Sequence, residues 1–524
     1  MGIIKLLDCS LRDGGHQVKS NFGKKVIQRI TGGLEKANID YIEVGFLRNG
    51  DWSDDYAIYN SINDAENKTK LSRDDLEYTL LVQQDEFNVD KLLPFNGGKF
   101  RRIRVSFHEH DKNEGILFCR KVIEKGYICH MNPINTVGYK DADILEFVRI
   151  GNEIGIGAFS IVDTFGSMSK DDLIRLLYLI SNNLNANIDI GIHLHDNMMM
   201  AFGLSQIMCE NISPKRNHII DASLLGMGRD PGNLCIELIA DWLNNKYNAS
   251  YDIDVLFDLI DDYIRPIKEK NPWGYATAYA LSAQYYLHRS YGEYLMNKGK
   301  INSKSIRHIL SKIDKNKVNI YDENYIESLY QEYISFSVDD SAYILEISRI
   351  FKDRCVLILA PGKSLVEYRE VVKDFIEANK PIVISVNFES DLFNADYIFC
   401  GNLKRYEILK ENENLIVTSN ILLSSPKLNK NIISINRVAY FNGKFWDNSA
   451  LMLFNLLAQS SVDEWFVAGF DGFSSEDNFA ISGYDIHNID VNSENARVKS
   501  IMNTTFSTNE IHFLTPSYYQ KPEV

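Results

Sequence analysis

Ile188-Asp-Ile-Gly-Ile-His-Leu-His-Asp-Asn197 is an apolar, β-rich run that carries imidazoles at i and i+2. Side chains alternate along a strand, so a buried strand here puts His193 and His195 on one face, where the pair can grip one divalent cation. A matching start lies near the N-terminus. Strand-like Ile3 to Leu7 runs into Asp8-Cys-Ser-Leu-Arg-Asp-Gly-Gly-His16, which supplies Arg12, Asp13 and His16 within five positions. Together the two stretches predict a metal enzyme.

Working outward, short apolar runs recur with helix-patterned stretches between them: Ile3–Leu7, Tyr41–Phe46, Tyr78–Val82, Ile103–Phe107, Tyr127–Met131, Phe159–Val162, Ile188–Leu194 and His218–Ser223. Val26–Lys36, Asp141–Ile154 and Asp171–Asn183 space their apolar residues three and four apart, and the last two open on acidic residues suited to a helix start. Strand and helix alternating eight times predict a (β/α)8 TIM barrel. The chemical candidates then fall at strand carboxyl ends, where such barrels hold their sites: Asp8 to His16, Glu43, Asn132, Asp163, and His193 with His195. After the eighth strand, the glycine-rich loop Leu225-Gly-Met-Gly-Arg-Asp-Pro-Gly-Asn233 leads into the amphipathic run Leu234–Leu243. Its glycines would let backbone amides face an anion or metal-bound substrate at a helix start.

The expected organisation is a barrel over 1–250, a tyrosine-rich helical cap and connector over 251–340 that includes Trp273-Gly-Tyr-Ala-Thr-Ala-Tyr279, and a Rossmann-like open α/β domain over 350–524. An acidic helical stretch spans about 335 to 352. Further strands are expected within Cys355–Leu365 and at Pro381–Val386, Tyr397–Cys400, Leu415–Thr418, Ile432–Ile435 and Trp465–Ala468. Leu359-Ala-Pro-Gly-Lys-Ser-Leu365 lacks the glycine of a P-loop and is no dinucleotide fingerprint. A strand-to-helix turn is still a natural anion site, or simply a tight turn with no ligand.

Of 524 residues, 45% are hydrophobic and 24% charged, the balance of an ordinary soluble protein. A formal net charge of -15 argues against general affinity for nucleic acid or anionic membranes. Seven scattered cysteines without a Cys-x-x-Cys pair indicate neither a disulfide framework nor structural zinc, and a reducing cytoplasm fits. No leader and no apolar run of about 18 residues is evident, so a soluble, unprocessed protein without a membrane span is expected.

Chelation by a divalent cation acidifies the C–H next to the carbonyl of a 2-oxo acid and stabilises the enolate that forms. Asp13, His193 and His195 supply oxygen and imidazole ligands with positions left open. Arg12 is placed to steady the enolate oxygen, although an Arg-Asp dipeptide alone could be a surface salt bridge; the Gly14-Gly15 bend favours the barrel mouth. His16 could move the proton of the second substrate. His108 and His110 form another His-x-His among Glu109, Asp111, Lys112 and Glu114, which reads as a solvated loop with His108 at most facing substrate. Glu43 is either a buried structural carboxylate or a partner of the metal ligands. Tyr275 and Tyr279 belong either to a packed aromatic cap or to the substrate pocket. Asn233 is a helix cap or a contact to metal or substrate.

Asp8-Cys-Ser-Leu-Arg-Asp-Gly-Gly-His16 and Gly191-Ile-His-Leu-His-Asp-Asn197 resemble the two signatures of the metallolyase and pyruvate-carboxyltransferase-like (HMGL-like) superfamily. His16 and Gly274-Tyr-Ala-Thr-Ala-Tyr279 are similar to the 4-hydroxy-2-oxovalerate aldolase branch. The resemblance covers about residues 1 to 330. It implies Mn2+ or Mg2+ on Asp13, His193 and His195, pyruvate enolate on Arg12, His16 as acid/base and Tyr279 in the aldehyde pocket. In sister branches an asparagine of the glycine-rich loop approaches the metal, which implicates Asn233. Arg229-Asp-Pro231 and the bulky Trp273 depart from the pattern and imply a different aldehyde. Ala360-Pro-Gly-Lys-Ser-Leu365, Asn448-Ser-Ala-Leu-Met-Leu453 and Val467-Ala-Gly-Phe-Asp-Gly-Phe473 resemble Rossmann-like domains of bacterial sialyltransferase-like surface-glycan proteins. That implies a nucleotide or nucleotide-sugar near Gly362, Ser364 and Asp471.

The expectation is therefore a metal-dependent aldolase acting on small molecules, a 2-oxo acid and an aldehyde, in surface-glycan sugar biosynthesis, and assembled as a homo-oligomer. The alternatives are an acyl-CoA-dependent Claisen synthase or lyase, decided by acetyl-CoA dependence, and a non-catalytic nucleotide-sugar scaffold, which the intact Arg12, Asp13, His193 and His195 set opposes.

Overall fold

The computed structural model describes residues 3–211, 216–229, 231–298, 301, 303–425, 431–441, 444–445, 448–462, 464–474 and 490–520. Asp230, part of the charged interruption in the glycine-rich loop, lies outside them. The chain divides into two compact units, Met1–Glu293 with Asp314–Tyr321, and Tyr294–Ile313 with Asp322–Val524. No helix among the described residues is long and apolar enough to cross a membrane.

The first unit is a closed parallel barrel. Its strands are β1 (Ile4–Asp8), β2 (Tyr41–Leu47), the short side strand β3 (Ile58–Tyr59), β4 (Glu77–Gln83), β5 (Arg102–Phe107), β6 (Ile128–Pro133), β7 (Ala158–Asp163), β8 (Asp189–Leu194) and β9 (His218–Ala222). Neighbours run β1-β9-β8-β7-β6-β5-β4-β2, and β1 pairs again with β2 to close the ring. All eight expected runs are barrel strands, and the helices Lys24–Lys36, Asp141–Ile154 and Lys170–Asn183 lie where the periodicity puts them. The last is closed by a reciprocal capping box between Ser169 and Asp172.

β3 was not legible because two residues give no period. It pairs with β2 where the β2–β4 register slips between Glu43 and Phe46. Gly45 makes that slip possible: its φ is +149° and a Cβ there would sit 2.1 Å from the Ala57 carbonyl oxygen.

Alternation along the strands fills the barrel with polar layers. In the lower one, Lys5 and Arg102 lie 5.1 and 5.3 Å over the Tyr41 ring, and Arg102 Nη1 is 3.1 Å from His130 Nε2. Two residues further along the same strands come Glu43, Arg104 and Asn132, which belong to the site. Beyond β9 the chain is helical, and a single π-type turn at Ile260–Ile264 joins Ile253–Leu259 to Arg265–Lys270.

The second unit holds a seven-stranded parallel sheet: β10 (Val356–Leu359), β11 (Ile382–Val386), β12 (Tyr397–Cys400), β13 (Leu415–Thr418), β14 (Asn431–Ile433), β17 (Glu464–Ala468) and β18 (Glu510–Phe513), with a separate hairpin of β15 (Tyr440–Phe441) and β16 (Lys444–Phe445). The order β14-β13-β12-β11-β10-β17-β18 reverses direction between β10 and β17. Both faces are covered, since Val356 and Ile358 enter one apolar core while Leu357 and Leu359 enter another. β18 went unread from sequence because Glu510-Ile-His-Phe513 has one charged and one polar side chain among four residues.

Gly45→Ala is expected to destabilise the barrel by about 1–3 kcal/mol through steric strain, seen as a lower midpoint of denaturant unfolding. An unchanged midpoint would mean that β2 tolerates a side chain at the slip.

Candidate active site

The turn after β1 is built by Asp8. Its carboxylate accepts from the Ser10 amide (3.0 Å) and hydroxyl (2.7 Å), and Ser10 Oγ accepts from the Leu224 amide (2.8 Å), tying the loops after β1 and β9 together. Burial pushes the Asp8 carboxyl up to about 7. The backbone then turns on the Cys9 carbonyl, which accepts from Arg12 and Asp13 amides. Arg12 and Asp13 are thereby turned inward and buried.

The ligand atoms of Asp13, His193 and His195 all lie within 4.8 Å of one another. Each imidazole is oriented by its other nitrogen. His193 Nδ1 is 3.0 Å from Asp221 Oδ2, and His195 Nδ1 is 3.0 Å from the Asp163 carbonyl oxygen. An acceptor opposite each Nδ1 fixes the proton there, leaving Nε2 of both rings as a lone-pair donor. His195 Nε2 is buried, 3.4 Å from Asp13 Oδ2, and makes no hydrogen bond. An orphaned buried imidazole nitrogen beside a carboxylate fits a bound divalent cation.

Protonation favours the same outcome. Burial lowers the pKa of His193, keeping it neutral. At Asp13 burial opposes ionisation, but the Arg12 guanidinium outweighs it and holds the carboxyl well below its usual range. The Asp13 carboxylate and the neutral His193 imidazole can bind metal without first releasing protons.

Beneath this cluster runs a chain of buried charges. Arg12 Nη1 donates to Asp13 (2.7 Å) and its Nε to Glu43 Oε2 (2.7 Å); Arg104 Nη1 donates to Glu43 Oε1 (3.0 Å), and its Nη2 to Asn132 Oδ1 (3.1 Å) and to Asp221. Glu43 therefore holds the two arginines. Sequence reading missed Arg104 and Asp221. The available signal was a charged residue inside each of the apolar strands Arg102–Phe107 and His218–Ala222, with no sequence-local partner.

Asn233 stands in the same cluster: Nδ2 donates to Asp13 Oδ2 (2.8 Å) and to the Met227 carbonyl (3.2 Å), while its buried Oδ1 has no partner. Gly228 permits this, since a Cβ there would lie 2.6 Å from Asn233 Nδ2. Trp273 supports the loop from outside, its Nε1 donating to the Leu225 carbonyl (3.0 Å).

His16 is half-buried, with Nε2 3.9 Å from Asp13 Oδ1 and its ring edge-on to Phe46. Burial and the Arg229 charge pull its pKa down to about 3, so it is neutral at neutral pH. His108, after β5, stacks on His110 at 5.3 Å, and burial lowers its pKa. Tyr279 is half-buried on the helix Thr277–Ala283, and Tyr275 before it is exposed.

In the second unit Gly362, Ser364 and Asp471 meet where the strand order reverses. The Ser364 amide (2.9 Å) and hydroxyl both donate to the Asp471 carboxylate, and a Cβ on Gly362 would lie 2.5 Å from Asp471 Cγ. The amide that an anion would seek is thus already taken by a carboxylate.

A parallel barrel with a carboxylate and two imidazoles at its mouth is one able to hold a metal ion there. Residues 3–261 match the HMGL-like family model, so the first unit carries an HMGL-like domain. The chain is 25% identical over 284 residues to a 4-hydroxy-2-oxovalerate aldolase of Moorella thermoacetica, covering 51% of this chain and 78% of that protein. It is 22% identical over 262 residues to an oxaloacetate decarboxylase of Mycobacterium tuberculosis, covering 48% and 74%. Among solved structures, the HMG-CoA lyase of Brucella melitensis is 17% identical with a TM-score of 0.42, covering 51% of this chain and all of that one.

Asp221→Asn is expected to weaken divalent-metal binding about 10–100-fold while the protein stays folded, as titration calorimetry would read. Arg104→Met leaves Glu43 with Arg12 alone and leaves the buried Asp221 carboxylate facing no cation but a neutral imidazole. It should cost about 3–5 kcal/mol of stability, and a variant as stable as the parent would show that the buried chain is dispensable.

Proposed function

We propose that the barrel is a divalent-metal-dependent aldolase that joins or cleaves pyruvate, or a close 2-oxo acid, and an aldehyde. The observation that carries this reading is the pair of imidazoles locked by Asp221 and the Asp163 carbonyl, with their ligand atoms and that of Asp13 all within 4.8 Å of one another.

Bound by Asp13, His193 and His195, with Asn233 Oδ1 as a further oxygen donor, Mn2+ or Mg2+ would polarise the keto acid and acidify its C3 hydrogens. Arg12, fixed by Glu43 and Asp13, presents its guanidinium to the enolate oxygen and offsets the charge that develops there. His16, held neutral, accepts the hydroxyl proton of the aldol on cleavage and returns it to the aldehyde oxygen on addition. Tyr279 lines the aldehyde side, and His108 faces the same mouth from β5. Bonding and burial support the role of Arg12, protonation that of His16, and the aldolase relatives the rest.

The second unit, in this reading, binds a nucleotide or nucleotide-sugar at the turn of Gly362, Ser364 and Asp471. The Asp471 carboxylate there suits sugar hydroxyls better than a bare phosphate. Fusion of the two functions, in residues 1–250 with a cap over 251–340 and in 350–524, suits synthesis of a sugar for a surface glycan in the cytoplasm. Seven free cysteines agree with that compartment.

Purified protein with pyruvate and Mn2+ in D2O is expected to exchange the C3 protons of pyruvate, followed by NMR. Asp13→Asn and chelation by EDTA should each lower the rate at least about 100-fold. Parent protein that exchanges nothing with any divalent cation would sink the aldolase reading.

A further inference from the structure

The chain leaves the barrel unit after Glu293, and returns to it for the eight residues Asp314–Tyr321 before leaving again. Those eight residues are pinned. Tyr291 Oη donates to the carbonyls of Lys317 and Ile320 (both 2.9 Å), and the His288 amide donates to the Val318 carbonyl (3.0 Å). Asn135 Nδ2 donates to Asn319 Oδ1 (2.7 Å), and Asn319 Nδ2 donates to Glu109 Oε2 (3.5 Å). The Tyr321 ring stacks on His288, 6.0 Å between centroids.

The anchors give the strap its address. Glu109 follows β5, Asn135 follows β6, and Phe165, whose ring meets His288 edge-on at 5.7 Å, follows β7. All three are at strand carboxyl ends, the end that carries Asp13, His193 and His195. Phe165 is two residues past Asp163, whose carbonyl orients His195. The strap thus lies on the β5–β7 side of the barrel mouth, while the metal cluster lies on the β1–β8–β9 side.

Resting on the aldolase reading above, we propose that the strap Asp314–Tyr321 and His288 form the wall that selects the second substrate, and that this substrate is a hydroxylated aldehyde. The wall is polar: Asn319, Asn135, His288 and Glu109 supply amides, an imidazole and a carboxylate. His288 Nδ1 accepts from the Ser290 amide (3.3 Å), so its proton sits on Nε2 as a donor. The half-buried His288 and Asn319 favour hydroxyl groups, because an alkyl aldehyde would take the His288 Nε2 donor out of water without pairing it.

The test compares D-glyceraldehyde with propionaldehyde, its deoxy counterpart of equal carbon number, in Mn2+-loaded full-length protein with pyruvate. Wild type should favour glyceraldehyde in kcat/KM. Asn319→Ala and His288→Ala should each cut that preference about five- to tenfold, mainly by raising KM for glyceraldehyde. Pyruvate C3 exchange without aldehyde should stay at the wild-type rate, which reports an intact fold and metal centre. Exchange with no preference for glyceraldehyde, or with a preference the variants leave unchanged, overturns the wall and spares the aldolase reading. No exchange in wild type overturns both.

Discussion

The site depends on a line of charges buried inside a closed barrel: Asp13, Arg12, Glu43, Arg104 and Asp221, ending on His193. Removing each ion from water costs several kcal/mol even after relaxation, roughly, and attraction in the interior compensates only when geometry and hydrogen bonding are nearly complete. Here each carboxylate meets a guanidinium and each guanidinium meets two carboxylates. The arrangement is poor at adding stability and good at fixing positions, because no member can move without stranding its neighbour. Its two ends are the Asp13 carboxylate and, through Asp221, the His193 imidazole, two of the three groups able to hold a metal ion.

The barrel is what makes the line possible. β2, β5, β8 and β9 each contribute a member from side chains that alternate inward, the turn after β1 supplies Arg12 and Asp13, and closure between β1 and β2 completes the ring that brings them within hydrogen-bond reach. The loop after β9 completes the cluster by laying Asn233 against Asp13, a contact that only a glycine at position 228 allows. The lower layer of Lys5, Tyr41, Arg102 and His130 repeats the same economy of paired polar groups. The barrel interior is therefore polar along much of its length, and the aliphatic packing lies between the strands and the surrounding helices.

Much of this was legible locally. Period-two alternation placed His193 and His195 together, and Asp8 to His16 read as a turn because Asp8, Ser10 and the paired glycines have short-range partners. Strands of five to seven apolar residues announced themselves, whereas β3, with two residues, and β18, interrupted by His512, did not. Glu43 read as either a buried structural carboxylate or a partner of the metal ligands, and that it joins Arg12 to Arg104 was not legible, since they lie 31 residues before it and 61 after it.

The sequence by itself determined the strand and helix pattern, the parallel barrel and the side chains able to bind metal, because these follow from periodicities and turn chemistry acting over a few residues. Only the tertiary structure decided that Arg104 and Asp221 hold the site, that Asp471 fills the turn after β10, and that eight residues beyond the barrel come back to its mouth. Those contacts join side chains brought together by closure of a sheet or return of the chain. Hydrogen-bond partners chosen across 60 to 220 residues leave no periodic trace in the sequence.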